Sequence, residues 1–194
     1  DAAFGVAAGG QLIEKYRDYG CITYATTPRM TLSKKDIYER TDTCGREIIE
    51  LVNVGGLIHD KAQHQLLESF ALAVKKEDRL RLKIIGEGPE REKLVILANR
   101  LGIIGRVEFT GYIESETVLY NHLKSADIFV LSSITEGFPR VLYEAMCMRL
   151  PIITTKVGGI PNLMVHKENA LLVDYGKNED FADAICLMIS HNEL

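Results

Sequence analysis

The chain has 194 residues, of which 46% are hydrophobic, 26% charged and 7% aromatic, and its net charge is −4. At about 150 residues per domain this is one domain plus a fragment, and the composition excludes a disordered chain. No Lys- or Arg-rich run favours a nucleic acid or an anionic membrane, and no run of about 18 apolar residues is long enough to span a bilayer. Neither a nucleic-acid partner nor a transmembrane segment is expected.

Residues 1–47 show no regular strand-helix rhythm. The first six lack the basic start and apolar core of a signal peptide and read as an internal cut through a longer chain. Gln11–Tyr19 has the pattern of one helix, and residues 26–46, rich in Thr, Lys, Arg and Asp, read as linker. From residue 48 strand and helix alternate six times. The expected strands are Ile48–Val54, Leu80–Ile85, Val107–Phe109, Asp127–Leu131, Ile152–Thr155 and Ala170–Val173. Most are continuous apolar runs, as expected where helices cover both faces of a parallel sheet.

The first intervening helix carries Ala62, Leu66, Phe70 and Val74 on one stripe, with Asp60 as its expected cap. The second has Pro89 in its first turn, Leu94, Leu97 and Leu101 on its inner face, and Gly102 at its end. A third covers Ser115–Lys124 and a fourth Pro139–Met148. A short one follows Pro161, and the last spans Glu179–Ser190. The order predicts an α/β class: a doubly wound, Rossmann-like parallel sheet of about six strands with helices on both faces. Residues 48–194 are the domain, and 1–47 a remnant of a preceding domain plus linker. Ligands of such sheets sit on the loops at the carboxyl ends of the strands.

Most familiar chemistries find no support in those loops. Gly86-Glu87-Gly88 lacks the third glycine of a dinucleotide fingerprint, because position 91 is arginine, and Glu87 would repel a pyrophosphate. There is no P-loop and no nucleophile elbow. His59, His64, His122, His166 and His191 have no metal-ligand spacing, so no metal site is expected. Cys21, Cys44, Cys147 and Cys186 form no C-x-x-C pair, and Cys147 and Cys186 read as small core residues. Scattered thiols suit a reducing, cytoplasmic compartment.

The loop after the fourth strand is the informative one. Glu136 lies just before a helix, Pro139 suits its first turn, and Glu144 lies about a turn and a half inside. Backbone N–H groups at 138–142 face the crevice and, with the helix dipole, make an anion site. Carboxylates beside an anion site accept from hydroxyls, so the pair suits a ligand with phosphate between two polyols, as in a nucleotide sugar. The alternative is a capping Glu136 and a solvated Glu144. Gly55-Gly56 after the first strand allow close backbone approach. Lys61 opens the next helix either as a phosphate ligand or as a solvated lysine. Gly158-Gly159 after the fifth strand and Thr110-Gly111-Tyr112-Ile113 after the third are either ligand loops or turns.

Taken in order, these loops resemble the C-terminal donor-binding domain of retaining GT-B glycosyltransferases, glycosyltransferase family 4. The similarity covers roughly residues 48–190. It rests first on two glutamates seven residues apart in Glu136-Gly-Phe-Pro-Arg-Val-Leu-Tyr-Glu144-Ala-Met. Asn53-Val-Gly, Lys61, Ile85-Gly-Glu-Gly-Pro89, Val107-Glu-Phe-Thr-Gly111, Ala126-Asp127 and Gly158-Gly159 follow the same pattern.

The resemblance implies a donor-binding half that moves a hexose from a UDP- or GDP-linked sugar with retention of configuration and without a cofactor or required metal. Glu136 and Lys61 would be catalytic, at the sugar and the diphosphate. Glu144 would hold the ribose, Gly111 and Tyr112 would lie near the base, and Gly55, Gly56, Gly137, Phe138, Pro139, Arg140, Val141 and Leu142 would line the donor. The acceptor, a polysaccharide or lipid-linked glycan precursor, would bind the missing N-terminal domain, which would also make any contact with the inner face of the membrane. This fragment alone would then be inactive.

Four positions depart from the family pattern. Gly56 replaces an arginine, with Arg140 either substituting at the phosphate or pointing to solvent. Ala62 and Arg149 replace glycines, and Asn162 stands near a common glutamate. Loss of the arginine motivates an alternative, a non-catalytic nucleotide-sugar binding module. A nucleotide-sugar epimerase or a glycogen-type phosphorylase is a third reading. The phosphorylase needs a pyridoxal-phosphate lysine, for which no clear candidate is present.

Overall fold

A computed structural model describes residues 4–7, 22–25, 37–40, 43–137 and 139–190, the first two segments as backbone alone. The helix expected over Gln11–Tyr19, most of the expected linker and Phe138 lie outside the described residues. Strand β1 (Phe4–Ala7) pairs in parallel with β2 (Ile22–Ala25), a pairing that the sequence pattern does not announce.

The remaining strands form one six-stranded parallel sheet in the order β5-β4-β3-β6-β7-β8. They are β3 (Ile49–Val54), β4 (Leu80–Ile85), β5 (Val107–Gly111), β6 (Ile128–Leu131), β7 (Ile152–Thr155) and β8 (Leu171–Val173). Helices α1 (Gln63–Val74), α2 (Arg91–Arg100), α3 (Glu116–Ser125), α4 (Arg140–Cys147) and α5 (Asn178–Ser190) separate or follow them. This is the expected doubly wound α/β architecture. The strand order reverses at β3, which pairs with β4 on one side and β6 on the other. Such a switch point splays the β3–α1 and β6–α4 loops apart and opens a crevice at the carboxyl edge.

The continuous apolar strands divide their side chains between two cores. Leu51, Ile128 and Val130 join Leu66, Phe70, Phe181 and Ile185 on one face. Their chain neighbours Val52, Phe129 and Leu131 join Leu123, Leu142 and Ile160 on the other. A period of two, buried on both sides, reads in sequence as an uninterrupted run.

Helix starts differ from the sequence pattern in places. Ser115 caps α3 by accepting from the Val118 N–H at 3.4 Å. Asp60 does not cap α1. It lies in a short 3₁₀ turn, His59–Lys61, and buried Ala62 at φ 47° turns the chain before α1 begins. Pro89 precedes α2 by two residues instead of opening it, and Pro161 lies inside a 3₁₀ turn, Ile160–Asn162. Cys147 and Cys186 are partly exposed. Cys44 is the buried thiol, pushed up to about 11 first by burial and then by the Asp127 carboxylate.

The described part of the expected linker is bound to the sheet's amino edge. Arg40 donates to the carbonyls of Leu123, Lys124 and Ala126 at the end of α3, and to that of Met148 at the end of α4. The Tyr38 N–H donates to Cys147 at 2.8 Å. Buried Asp127 accepts from the N–H groups of Cys44 and Glu50. These bonds satisfy carbonyls that a helix end leaves without partners.

Candidate functional site

Four strand ends are stitched into one surface by loop bonds. The Gly55 N–H donates to Ile85, Leu57 to Glu87, and Gly86 to Gly111. Gly86, at φ 145°, lies where a Cβ would overlap the Gly55 carbonyl, so glycine lets β3 and β4 loops touch. Across the switch point, the Ile134 N–H donates to Asp60 at 2.8 Å, and Ser132 Oγ donates to the carbonyls of Lys61 and Ala62.

The product of this stitching is an ion pair. Lys61 Nζ lies 2.7 Å from Glu136 Oε1, with the side chains 27% and 6% exposed. Ser133 Oγ donates to the same oxygen at 2.6 Å. The Glu136 carbonyl accepts from the Gly159 N–H at 3.0 Å. Gly158, at φ 53°, leaves room for that carbonyl, which any Cβ there would overlap. Loops after β3 and β7 thus converge on Glu136 in the β6–α4 loop, the first on its carboxylate and the second on its backbone carbonyl. Bonds from charged donors in such a half-dry place are shorter and stronger than neutral ones.

Helix α4 starts at Arg140 with Pro139 at its N-cap and no side-chain cap. The sequence pattern suggested free N–H groups through residue 142. The Leu142 N–H is engaged within the turn, by the Pro139 carbonyl at 3.1 Å, and its side chain is in the core. Gly137 and Arg140 are exposed and Val141 is half-buried. Glu144 is half-buried. Burial raises its pKa, Arg140 one turn earlier opposes this, and Glu116 on α3 adds to it.

Beside the β3–α1 loop lies a cavity of about 370 Å³, bounded by Gly55, Gly56, Glu87, Tyr112, Ile113 and Leu119. Tyr112 is 75% exposed, so its ring is free to meet a flat ligand. A Cβ at Gly56 would meet only the Glu87 carbonyl, at 3.9 Å, so the position accepts a side chain. Cavities of about 270 and 700 Å³ lie elsewhere, by the start of β7 and along β8 and α5, away from the ion pair. No group of three metal-ligating side chains occurs among the described residues.

The structure therefore brings together Lys61, Glu136 and the loops carrying Gly55, Gly56, Gly111 and Tyr112 on one edge. Ala62 and Arg149, which replace glycines of the family pattern, both sit at left-handed φ, 47° and 49°. Such a backbone costs a non-glycine residue about 1–2 kcal/mol. Sequence reasoning gave no role to Ser133. A serine three residues before a carboxylate, ahead of a helix, is the local signal for it.

Comparison with known proteins places the chain in a family and a fold. The model of the family described as glycosyl transferases group 1 matches residues 46–194. A lipopolysaccharide core biosynthesis glycosyltransferase of Rhizobium meliloti is 34% identical over 144 residues, 74% of this chain and 40% of the relative. The chain thus spans about 40% of the length of such relatives. Among solved structures, Staphylococcus aureus TarM in complex with UDP and sugars superposes with a TM-score of 0.84 at 17% identity, covering 95% of this chain and 36% of that one. The C-terminal domain of a group 1 glycosyl transferase from Francisella tularensis superposes at 0.70 with 24% identity, covering 82% of this chain and 88% of that domain. With its Rossmann-like sheet and the matched family pattern, the chain belongs to the group 1 glycosyl transferases of the GT-B fold.

Proposed function

We propose that residues 48–194 are the donor-binding half of a retaining family 4 glycosyltransferase, and that residues 1–47 are the end of an acceptor-binding domain and its linker. The observation that carries this reading is the Lys61 ammonium held on Glu136 at the switch point, next to an uncapped helix start. It supplies a cation for a diphosphate and a carboxylate for sugar hydroxyls within one loop cluster.

In this reading Lys61 and the first N–H groups of α4, with that of Gly137, hold the diphosphate and stabilise the charge that grows on it as the sugar departs, and Pro139 shapes the turn that presents them. Glu136 orients the hexose through its hydroxyls, and Glu144 accepts from the ribose. The cavity beside Gly55 and Gly56 takes the base, under Tyr112. Phe138, Val141 and Leu142 complete the donor loop. Arg140 provides the second cation that Gly56 lacks. The bond to the leaving diphosphate breaks on the face from which the acceptor hydroxyl attacks, and the diphosphate takes the acceptor proton, so configuration is retained without a metal.

UDP in the complexes of structural neighbours supports a nucleotide-sugar donor. Names of relatives support an acceptor of the glycan or lipid-linked kind, lipopolysaccharide core among them. A cytoplasmic location belongs to the same proposal. No helix among the described residues is long and apolar enough to cross a membrane.

The test is turnover by the full-length parent with UDP- and GDP-hexoses, the product anomer being read by NMR. Transfer with retention, lost in Glu136→Gln, supports the reading, and inversion contradicts it. The absence of an arginine at position 56 motivates the second reading, a binding module without activity. Nucleotide-sugar binding with no transfer by the parent would favour that one.

A further inference from the structure

Ser133 has no part in the mechanism above. Its side chain is fully buried, its hydroxyl donates to Glu136 Oε1 at 2.6 Å, and its carbonyl accepts from Thr155 Oγ1 at 2.7 Å. Among the described residues, Ser133 and Lys61 are the two hydrogen-bond donors to the Glu136 carboxylate, and both use Oε1. That leaves Oε2, which has no partner among the described residues, to meet a ligand hydroxyl.

The arrangement has a consequence if Lys61 serves a diphosphate. An ammonium that turns toward phosphate gives up its short bond to the carboxylate, and Glu136 then loses its charged partner when its orientation matters most. A buried hydroxyl on a strand end cannot follow the ligand. Its chain position is fixed by Thr155 on β7 behind it and by the Ser132 bonds to the β3–α1 loop. We infer that Ser133 is a positioning residue that holds Glu136 Oε1 while Lys61 moves to the diphosphate, so that Oε2 stays aimed at the sugar. The inference rests on the donor-site reading.

Because the hydroxyl acts through Glu136 on the reacting sugar and not on the nucleotide, its loss lowers kcat without weakening donor binding. In the full-length parent, Ser133→Ala and Ser133→Cys are compared with wild type by steady-state kinetics at saturating acceptor, with melting curves alongside. Cysteine keeps the volume and is a weak donor. Both variants should lose about tenfold or more in kcat, with donor KM unchanged within about threefold, the pattern of an interaction made in the transition state alone. Wild-type kcat in Ser133→Ala, or full recovery by cysteine, would show that only packing matters and overturn the proposal. Wild-type parent with no nucleotide-sugar turnover would instead remove the donor-site reading. Should the variants not fold, a structure of the parent with bound nucleoside diphosphate decides. Lys61 on the phosphate with Ser133 still on Oε1 is expected, and Lys61 still on Glu136 would overturn the proposal.

Discussion

The two ends of the parallel sheet use charged side chains in opposite ways. At the amino edge, Arg40 spends its guanidinium on four backbone carbonyls, and Asp127 is enclosed by two backbone N–H groups. These hydrogen bonds all have main-chain partners, fixed by the fold, while the half-exposed Arg46 guanidinium lies only at 3.9 Å from Asp127 and the Tyr38 ring lies against Arg40. At the carboxyl edge, Lys61 and Glu136 hold each other across two loops, Lys61 keeps 27% of its side chain exposed, and α4 starts without a side-chain cap. A charge bound by backbone at a helix end is a stability device. A charge bound by another side chain in a crevice is open to exchange for a ligand. Asp127 belongs to the same sequence pattern as Lys61 and Glu136, yet its surroundings mark it as structural. Pattern alone does not separate the two uses, and the partner set does.

This contrast is open to breaking, and the largest effect should come from the carboxyl edge. Lys61→Ala in the full-length parent should lower nucleotide-sugar turnover by about a hundredfold, the scale of removing one preorganised electrostatic contact. Steady-state kinetics would check it, and loss of less than a few-fold would count against the pair as the centre of the site. At the amino edge, Arg40→Ala should destabilise the fold by about 2–4 kcal/mol, the loss of charge-assisted bonds to several carbonyls. Urea denaturation measures this. Nucleotide affinity in the folded fraction should not change.

Smaller effects sharpen the same line. Ala62→Gly should stabilise by up to about 1 kcal/mol, because left-handed strain exceeds the entropy cost of glycine. Thermal melting would register it. Glu144→Gln should show the cost of a half-buried carboxylate. Burial raises the folded pKa of Glu144 above its unfolded value, so the native state favours the protonated form. Its stabilising contribution is full below the unfolded pKa and lost as pH rises through the folded one. The glutamine variant should therefore melt higher than wild type at neutral pH and not in acid, while binding nucleotide less well. A variant that melts lower at both pH values would contradict the assignment.

Much of the sheet was legible because each strand is buried on both faces. Val52 and Leu51 serve different cores, and the pattern cannot hide either. Strand-helix order pointed to the loops at the carboxyl ends of the strands, those carrying Lys61 and Glu136 among them, whereas the switch point at β3 comes from the strand order itself. Less legible were features whose partners are backbone. Arg40 sits in a segment without periodicity, and only the carbonyls of α3 and α4, more than 80 residues away, give it a role. Asp60 looked like a cap because nothing in the residue pattern shows that Ala62 adopts a left-handed backbone. Ser133 carries no role in the residue pattern, and its hydroxyl on Glu136 gives it one.

The most direct test of the central claim, a donor site at the carboxyl edge and an anchor at the amino edge, is a calorimetric titration of this chain with UDP, GDP and ADP. Wild type, Lys61→Ala, Glu144→Ala and Arg40→Ala would be run side by side. The account predicts that one nucleotide diphosphate binds, that Lys61→Ala and Glu144→Ala each weaken it about tenfold or more, on the scale of a charge-assisted bond, and that Arg40→Ala leaves it unchanged. Binding indifferent to Lys61 and Glu144, or lost equally in folded Arg40→Ala, would contradict it.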